Sequence, residues 1–396
     1  MPKETIPLIA DWSRLPDITL LNIISYLNFE DRKAVATVCK RWYKLVNCAT
    51  VWKNVVYEIP GQWARPLSSI GTVIARFGSF HRHVSLRLRS SEGSCIVIAT
   101  EMLNKLAAIR PRNIESLRIE LTDRARVFHR NDYFLLSVKN FLQQRPNREL
   151  VPVSRIHLAN MVFPADPTFL QAVTLKISDY LTHVNIQAKS ATLLLSASSL
   201  ASLVKKWPNL IDLRVLNVSF SEDVLKSLTD TNHSAFRHLA LLYTKQDKYY
   251  RRVVPDQLWL EFSRRVPNAI ISISVDVTLP FSGLLRFVTK SMPLWNLYIE
   301  SRVNAHQFNQ LTMKMNVSLR KLVLRSIPTD NIEEVLKSLV DRFLNMKVLY
   351  IVSNVKLQTI EYIQRKNPKL RHNLSGTYSS ILTLSDSELY GNIRSP

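Results

Sequence analysis

Residues that could carry out chemistry are few and dispersed along this chain. Of the nine histidines, His81 and His83 are neighbours, which we expect at the surface, and the others are isolated. The three cysteines, Cys39, Cys48 and Cys95, form no CxxC pair, and no HExxH stretch occurs. Because zinc sites need Cys and His ligands at short, paired spacings, we predict no metal site, no cofactor and no catalytic residue.

Glycine content and charge exclude or favour further classes of protein. None of the 7 glycines lie two residues apart, so neither G-x-G-x-x-G nor a Walker loop can form. Lys and Arg number 53 against 31 Asp and Glu, a net charge of +22, which favours an acidic partner. No apolar run approaches the roughly 18 residues of a membrane span, and the first residues do not resemble a signal peptide. We therefore predict a cytoplasmic and/or nuclear protein with no membrane partner.

The first sixty residues have the pattern of a small helical module. Leu20, Ile23, Ile24 and Leu27 follow the spacing i, i+3, i+4, i+7 of one helix face. A second helix is expected from about Asp31 and a third from about Lys40. A module of about 45 residues has a small core, so it would gain stability by packing against a partner or the next domain.

The residues of this module also resemble a known family. The resemblance lies in Leu15-Pro16-Asp17, Leu20, Ile24, Leu27, Asp31, the run Val38 to Trp42, and Trp52. Residues 12 to 53 are thus similar to an F-box, in particular that of the S-phase kinase-associated F-box proteins, which bind the adaptor subunit of cullin-based (SCF) ubiquitin ligases. One residue departs from the pattern, because Arg32 stands where the family usually has an apolar side chain. The resemblance implies these adaptor-binding residues: Trp12, Leu15, Pro16, Leu20, Ile24, Leu27 and Trp42. An unrelated three-helix bundle is the alternative.

A second pattern begins at about residue 80, where apolar-x-x-apolar-x-apolar recurs at the end of successive helical stretches. From Leu181 to Met346 the mean spacing is 165/6, or 27.5 residues, within the period of about 20–29 residues of the leucine-rich repeat. A proline often precedes the pattern and ends the helix before it. The copies start at Ile114, Val153, Leu181, Leu210, Phe236, Ile270, Leu294, Leu319 and Met346, with a weaker one near His83.

This pattern resembles the degenerate leucine-rich repeats that follow F-boxes in many substrate adaptors. The implied fold class is α/β: a three-helix F-box followed by a curved leucine-rich-repeat solenoid, with parallel strands inside and helices outside. We assign residues 1–60 to the F-box, 61–80 to a connector, 81–375 to the repeats and 376–396 to a polar tail. A non-repeating α/β domain with chance matches is the alternative.

The strand pattern also predicts which side chains face a partner. Residues between the inward apolar positions point to the concave, solvent-facing side of the sheet. Arginine at several of these positions suits an acidic or phosphorylated segment, because its guanidinium group binds carboxylate and phosphate through two hydrogen bonds. The predicted substrate-binding residues are Arg87, Arg118, Arg155, His157, Arg214, Tyr298 and Tyr350.

Together these features predict a non-catalytic protein. The resemblance implies a substrate-recognition subunit that docks an SCF adaptor and, through it, a cullin and a RING subunit, while its repeats bind the protein substrate. Three cysteines are too few for a RING of its own. One alternative is a basic nucleic-acid-associated repeat protein, which the sequence disfavours because no RRM, KH or zinc-finger signature occurs. The other is an F-box scaffold that acts outside ubiquitination.

Overall fold

The computed structural model describes residues 12–59, 67–89, 92–122, 132–144, 150–159, 161, 168–187, 195–230, 233–248, 253–325, 328, 331–352 and 355–373. The chain divides into two compact units. The first contains Met1–His157 and Ala172–Ile177, and the second contains Leu158–Gln171 and Ser178–Pro396.

Three short helices begin the first unit: α1 (Asp17–Tyr26), α2 (Phe29–Ala36) and α3 (Lys40–Val46). The side chain of Asn28 caps α2 by accepting a hydrogen bond from the Asp31 N–H, and Cys39 accepts one from the Trp42 N–H at the start of α3. Such caps satisfy donors that a helix start leaves unpaired. Both helices therefore begin close to the positions that the sequence predicts.

Parallel strands and helices alternate through the rest of the first unit. Strands β1 to β4 pair in chain order, each parallel to the next. Their side chains alternate between buried and partly exposed, as expected for a sheet with one covered face. The elements are β1 (Asn54–Ile59), α4 (Leu67–Phe77), β2 (His83–Leu88), α5 (Gly93–Ala108), β3 (Ser116–Leu121), α6 (Asp132–Leu142) and β4 (Arg155–His157).

The second unit repeats the same strand–helix alternation. Strands β5 to β12 again pair in chain order and in parallel. A short helix, α7 (Thr168–Thr174), contributes residues to both units. The strands are β5 (His183–Asn185), β6 (Asp212–Leu216), β7 (His238–Tyr243), β8 (Ile270–Val275), β9 (Leu294–Ile299), β10 (Lys321–Leu324), β11 (Val348–Ile351) and β12 (Arg371–Asn373). The helices are α8 (Ala197–Val204), α9 (Glu222–Thr229), α10 (Asp256–Arg265), α11 (Phe281–Phe287), α12 (Ala305–Lys314), α13 (Glu333–Arg342) and α14 (Leu357–Lys366).

The predicted fold class is confirmed, because helices are followed by a succession of parallel strands at the predicted copies. Every copy from Ile114 to Met346 coincides with a strand, and its apolar residues are buried except Ile270, which is partly exposed. Two strands are not among the predicted copies. Strand β1 does carry a copy of the pattern, which is formed by Trp52, Val55 and Tyr57. From the sequence, these three residues are assigned to the helical module. Strand β12 carries no copy of the pattern, because His372 stands opposite the inward Leu349 of β11.

The structure places the first strand earlier than the predicted start of the repeats. Strand β1 lies within residues 1–60, and α4 lies within the predicted connector 61–80. Residue by residue, β1 pairs with β2, from Asn54 opposite His83 to Ile59 opposite Leu88. The helical module is thus joined to the sheet by the short segment 47–53 between α3 and β1. The predicted tail, residues 376–396, lies outside the described residues.

A buried histidine occupies the first inward position of the β2 repeat. Val84 pairs with Leu117, so His81 corresponds to Ile114, and the weak copy begins at His81 rather than His83. The expectation that both histidines lie at the surface is wrong for His81, which is 0% exposed. Its Nδ1 lies 2.9 Å from the Trp52 carbonyl oxygen, and its Nε2 lies 2.8 Å from the Tyr57 hydroxyl. A carbonyl only accepts, so Nδ1–H donates to Trp52 and Nε2 accepts from Tyr57.

This histidine predicts a dependence of stability on pH. Burial lowers the pKa of His81 to about 4. The hydrogen bond to Trp52 raises this pKa, whereas the positive charge of Arg32 lowers it, and both effects are smaller than that of burial. The unfolded chain, with an ordinary histidine pKa near 6.5, binds the proton first as pH falls. The free energy of unfolding should therefore decrease between about pH 6.5 and pH 4, by up to roughly 3 kcal/mol. Urea unfolding across this range measures the slope.

A matched pair of variants isolates this contribution. His81→Asn should flatten the slope, whereas His306→Asn, at a histidine on α12, should leave it unchanged. Asp247 acts in the opposite direction, because burial raises the pKa of its carboxyl to about 6. Because both variants keep Asp247, its contribution cancels when their slopes are compared. Equal slopes in the wild type and His81→Asn would contradict the prediction.

In the described part of the chain, no helix combines the length and the apolar character that crossing a membrane requires.

Candidate functional site

The helical module has a closed interior and an apolar exterior. Leu20 and Ile24 of α1 pack inward with Leu45 and Val46 of α3, and each of these four side chains is nearly fully buried. The docking role predicted for Leu20 and Ile24 therefore needs correction: both side chains form the core of the module and cannot touch a partner directly. Their spacing correctly indicated a packed helix face, but that face is turned inward.

Apolar side chains remain on the outside of the same module. Ile18 is 70% exposed and Tyr26 82% exposed, although both belong to α1. Helix α1 is thus apolar on more than one side, which is typical of a helix that is buried on assembly. Trp12 and Pro16 are exposed, and Leu15, Leu27 and Trp42 are half-buried, so these predicted residues are accessible. The predicted adaptor-binding residues do not include the exposed apolar residues Ile18, Ile23, Tyr26, Val38 and Tyr43.

An ion pair orients the start of α1 against α3. The Arg41 guanidinium group donates through Nε (2.8 Å) and Nη2 (2.6 Å) to Oδ1 of Asp17. The same group donates to the carbonyl oxygen of Leu15. The Leu15-Pro16-Asp17 segment is therefore held in place by a side chain from the third helix.

Arg32, the residue that departs from the family pattern, is buried and supports the junction with the sheet. Its Nη2 donates to the Ser25 carbonyl oxygen at 3.0 Å, and its guanidinium carbon lies 5.2 Å from the centre of the Trp52 ring. Trp52 in turn stacks on Phe77 of α4, with ring centres 4.2 Å apart, and donates to the Val46 carbonyl oxygen. Burial lowers the pKa of Arg32. We call Arg32, Trp52, Phe77, His81 and Tyr57 the junction cluster.

The partly exposed face of the first unit's sheet carries a row of alternating charges. Arg87 donates to Glu58 at 3.1 Å and to Glu120 at 3.3 Å. Arg118 also pairs with Glu120, at 3.1 Å. The structure therefore joins two of the predicted substrate-binding arginines through one carboxylate, that of Glu120. Arg155 and His157 of β4 lie on the same partly exposed face.

The charge balance of this face differs from the expected positive surface. On β1 to β4, three arginines (Arg87, Arg118 and Arg155) face two glutamates (Glu58 and Glu120). The surplus is one positive charge, much less than the run of arginines alone suggested. A partner's carboxylate or phosphate would therefore bind here by competing with Glu58 and Glu120 for the guanidinium groups.

In the second unit, Arg214 begins a chain of hydrogen bonds that crosses four strands. Arg214 binds both carboxylate oxygens of Asp212, at 2.9–3.2 Å. Asp212 accepts from Nδ1 of His238 at 3.0 Å, and Nε2 of His238 lies 2.7 Å from the Ser272 hydroxyl oxygen. Asn296 donates to that oxygen at 2.9 Å. Burial alone would raise the pKa of Asp212, but His238 and Arg214 hold it well below its usual range.

The hydrogen-bonded series Asp212, His238 and Ser272 has the same order of residue types as the catalytic triad of a serine hydrolase. Its contacts nevertheless indicate a structural role. The serine oxygen of a nucleophile must be free to attack. Here the Ser272 oxygen is occupied by the amide of Asn296, and Ser272 is only 6% exposed. Among the described residues, no group of three or more His, Cys, Asp or Glu side chains is placed to bind a metal ion.

Two predicted tyrosines are brought together further along the sheet. Tyr298, Val323 and Tyr350 occupy matching positions on β9, β10 and β11, and they form one apolar cluster. Lys321 lies with its Nζ 5.3 Å from the centre of the Tyr298 ring. The cluster lies on the side of the sheet that the pattern assigned to a partner, opposite the inward leucines.

The chain is similar to known proteins both in its helical module and over most of its length. Residues 12–58 match the F-box-like family model. Human F-box/LRR-repeat protein 8 is 22% identical over 382 residues, 93% of this chain and 95% of that protein. Mouse F-box/LRR-repeat protein 12 is 46% identical over 41 residues, 10% of this chain and 13% of that protein. A chain in the crystal structure of the Rad7 and Elc1 complex in yeast is 13% identical, with a TM-score of 0.44 over 92% of this chain and 94% of that one.

The helical module is an F-box-like domain, and the strands that follow it form a repeating parallel array. The chain therefore carries an F-box-like domain at residues 12–58, and over most of its length it is similar to F-box/LRR-repeat proteins.

Proposed function

We propose that this protein is the substrate-recognition subunit of an SCF-type ubiquitin ligase. One observation carries the proposal: apolar side chains are exposed on an F-box-like domain whose own core is already complete. Exposed apolar residues grouped on a small module are typical of a protein-binding surface. The adaptor binds these residues, and a cullin and a RING subunit join through it. The ligase chemistry takes place on those subunits, in the cytoplasm and/or the nucleus.

Affinity purification of the full chain tests the docking step. The adaptor and a cullin should be recovered with the wild-type protein and should be absent when exposed apolar residues of the F-box-like domain are replaced by charged ones. Recovery of the adaptor without any cullin would favour an F-box scaffold that acts outside ubiquitination. Recovery of neither would overturn the proposal.

For the substrate, we propose an acidic or phosphorylated segment bound on the partly exposed face of the sheet. The support is the placement of Arg87 and Arg118, which already bind carboxylates within the chain. A charge-assisted, two-bond contact is stronger than an exposed ion pair, which typically contributes under about 1 kcal/mol. The corresponding face of the second unit carries the cluster of Tyr298 and Tyr350. It also carries the chain of hydrogen bonds that begins at Arg214.

Charge reversal at one arginine tests this assignment. Arg118→Glu should weaken substrate capture several-fold, because it adds a carboxylate beside Glu120, while adaptor binding stays unchanged. Lys105→Glu, at an exposed lysine of α5, is the matched control and should have no effect. Excess RNA or DNA should leave substrate capture intact. If nucleic acid displaces the substrate and Arg118→Glu abolishes nucleic-acid binding, the nucleic-acid alternative is correct.

A further inference from the structure

A group of cations without carboxylates beside them lies at one edge of the second unit's sheet. The turns from α12 to β10, α13 to β11 and α14 to β12 meet at the starts of parallel strands. Backbone hydrogen bonds place their residues in a row: the Arg320 N–H donates to the Trp295 carbonyl oxygen, the Lys347 N–H to that of Arg320, and the Arg371 N–H to that of Lys347. We define the C-terminal rim as Val317, Arg320, Leu344, Lys347, Lys369 and Arg371.

The rim has no carboxylate of its own. Residues 313–325 and 342–360 contain no Asp or Glu, and neither do residues 362–373. The nearest acid at the end of α13, Asp341, is already paired with Lys366 and accepts from the Tyr362 hydroxyl. Because neighbouring strands are about 4.8 Å apart, the cations of the row lie within a Debye length of one another. Their fields therefore add.

Arg320 donates to the carbonyl oxygen of Asn345 at 3.0 Å, in the turn after α13, but the helix ends at this edge do not account for the other cations of the rim. Helix C-termini attract positive charge through their unpaired carbonyl groups. Arg342 already donates to the carbonyl oxygens of Met313 and Met315, and Asn367 donates to those of Leu344 and Met346. Lys347, Lys369 and Arg371 are exposed, and in the described part of the chain their side chains make no hydrogen bond or ion pair.

Two exposed aliphatic side chains accompany the cations. Val317 is 60% exposed and Leu344 is 67% exposed, both in the turns that carry Arg320 and Lys347. Surfaces that bind single-stranded nucleic acid instead combine cations with aromatic rings on which bases stack. Trp295, at the start of the row, is 37% exposed, and the Arg320 guanidinium group lies over its ring, 5.5 Å from the ring centre.

We propose that the C-terminal rim is a second docking surface, which binds an acidic protein segment with aliphatic anchor residues. The carboxylates of the segment pair with Lys347, Lys369 and Arg371, and its apolar residues contact Val317 and Leu344. This surface lies at the edge of the sheet, so it is distinct from the partly exposed sheet face and does not depend on the proposed function.

Fluorescence anisotropy with defined peptides tests the proposal on the full chain. The probe is a fluorescein-labelled peptide of repeating Glu-Glu-Leu, and a Glu-Glu-Ser peptide of the same length reports charge alone. The Lys347→Glu/Arg371→Glu variant should lose about tenfold or more in affinity for the Glu-Glu-Leu peptide. Lys245→Glu, an exposed lysine at the opposite end of the strands, should bind like the wild type. Leu344→Ser should remove the preference for Glu-Glu-Leu over Glu-Glu-Ser.

Each other outcome overturns a part of the proposal. No measurable binding of Glu-Glu-Leu, or binding that survives Lys347→Glu/Arg371→Glu, shows that the rim does not bind acidic segments. Equal affinity of the wild type for both peptides contradicts the aliphatic anchors. An oligothymidine that binds more tightly than the peptide and depends on the same two cations identifies a nucleic-acid surface instead.

Discussion

Replacing Leu297 by aspartate is expected to unfold the middle of the second unit. Leu297 is 0% exposed, and it sits between Ile273 of β8 and Leu322 of β10 in matching positions. A carboxylate at this position would be buried without a partner, at a cost of several kcal/mol. In a repeat array each repeat contacts only its neighbours, so the damage should begin locally.

Hydrogen exchange measured by mass spectrometry checks this expectation. Amides of β8, β9 and β10 should lose protection first in Leu297→Asp, while those of β1 to β4 stay protected. Leu297→Met is the control, because it conserves volume and apolar character and should cost less than about 1.5 kcal/mol. If both variants exchange alike, Leu297 does not lie in the core of the sheet.

The second large effect concerns the F-box-like domain. The double variant Ile18→Asp/Tyr26→Asp should reduce co-purified adaptor and cullin to background, because it places two charges among exposed apolar residues. Its fold should persist, since both side chains point away from Leu20 and Ile24. Unchanged recovery of the adaptor would show that this side of α1 does not face a partner.

A matched variant separates loss of binding from loss of folding. Leu20→Ala removes a buried side chain and should destabilise the domain by about 2–5 kcal/mol. It should lower adaptor recovery only as far as it unfolds the domain, which circular dichroism detects. Ile18→Asp/Tyr26→Asp should give the opposite combination: a normal unfolding curve and no adaptor.

The sequence predicted the repeats well because their signal is periodic. Each strand needs three inward apolar residues at fixed spacing, so nine strands could be located from the apolar pattern alone. Strand β12 could not be located in this way, because its position opposite the inward Leu349 of β11 is taken by a histidine, His372, instead of an apolar residue. His81 was missed because a polar residue can take an apolar position when both ring nitrogens find partners.

The binding surfaces were harder to predict, because their properties depend on pairs that are distant in sequence. Arg87 and Glu58 are separated by 29 residues, yet they form an ion pair across neighbouring strands. Arg118 and Glu120 point the same way from one strand, so this pairing could have been anticipated. Helical spacing correctly places Leu20 and Ile24 on one face of α1. Whether that face contacts the core or the solvent depends on how α1 packs against α3, which the spacing does not predict.

The junction cluster has a consequence for how this protein can be recombined. Many modular proteins tolerate exchange of a domain at a linker, since few contacts cross it. Here Arg32, Trp52 and Tyr57 lie within the residues that match the F-box-like model, whereas Phe77 and His81 belong to the elements after it, and the five side chains share one interior. A chimera that joins a foreign F-box at residue 53 would break this interior. A graft would keep its stability only if the donor segment extended through β1 and α4 to His81.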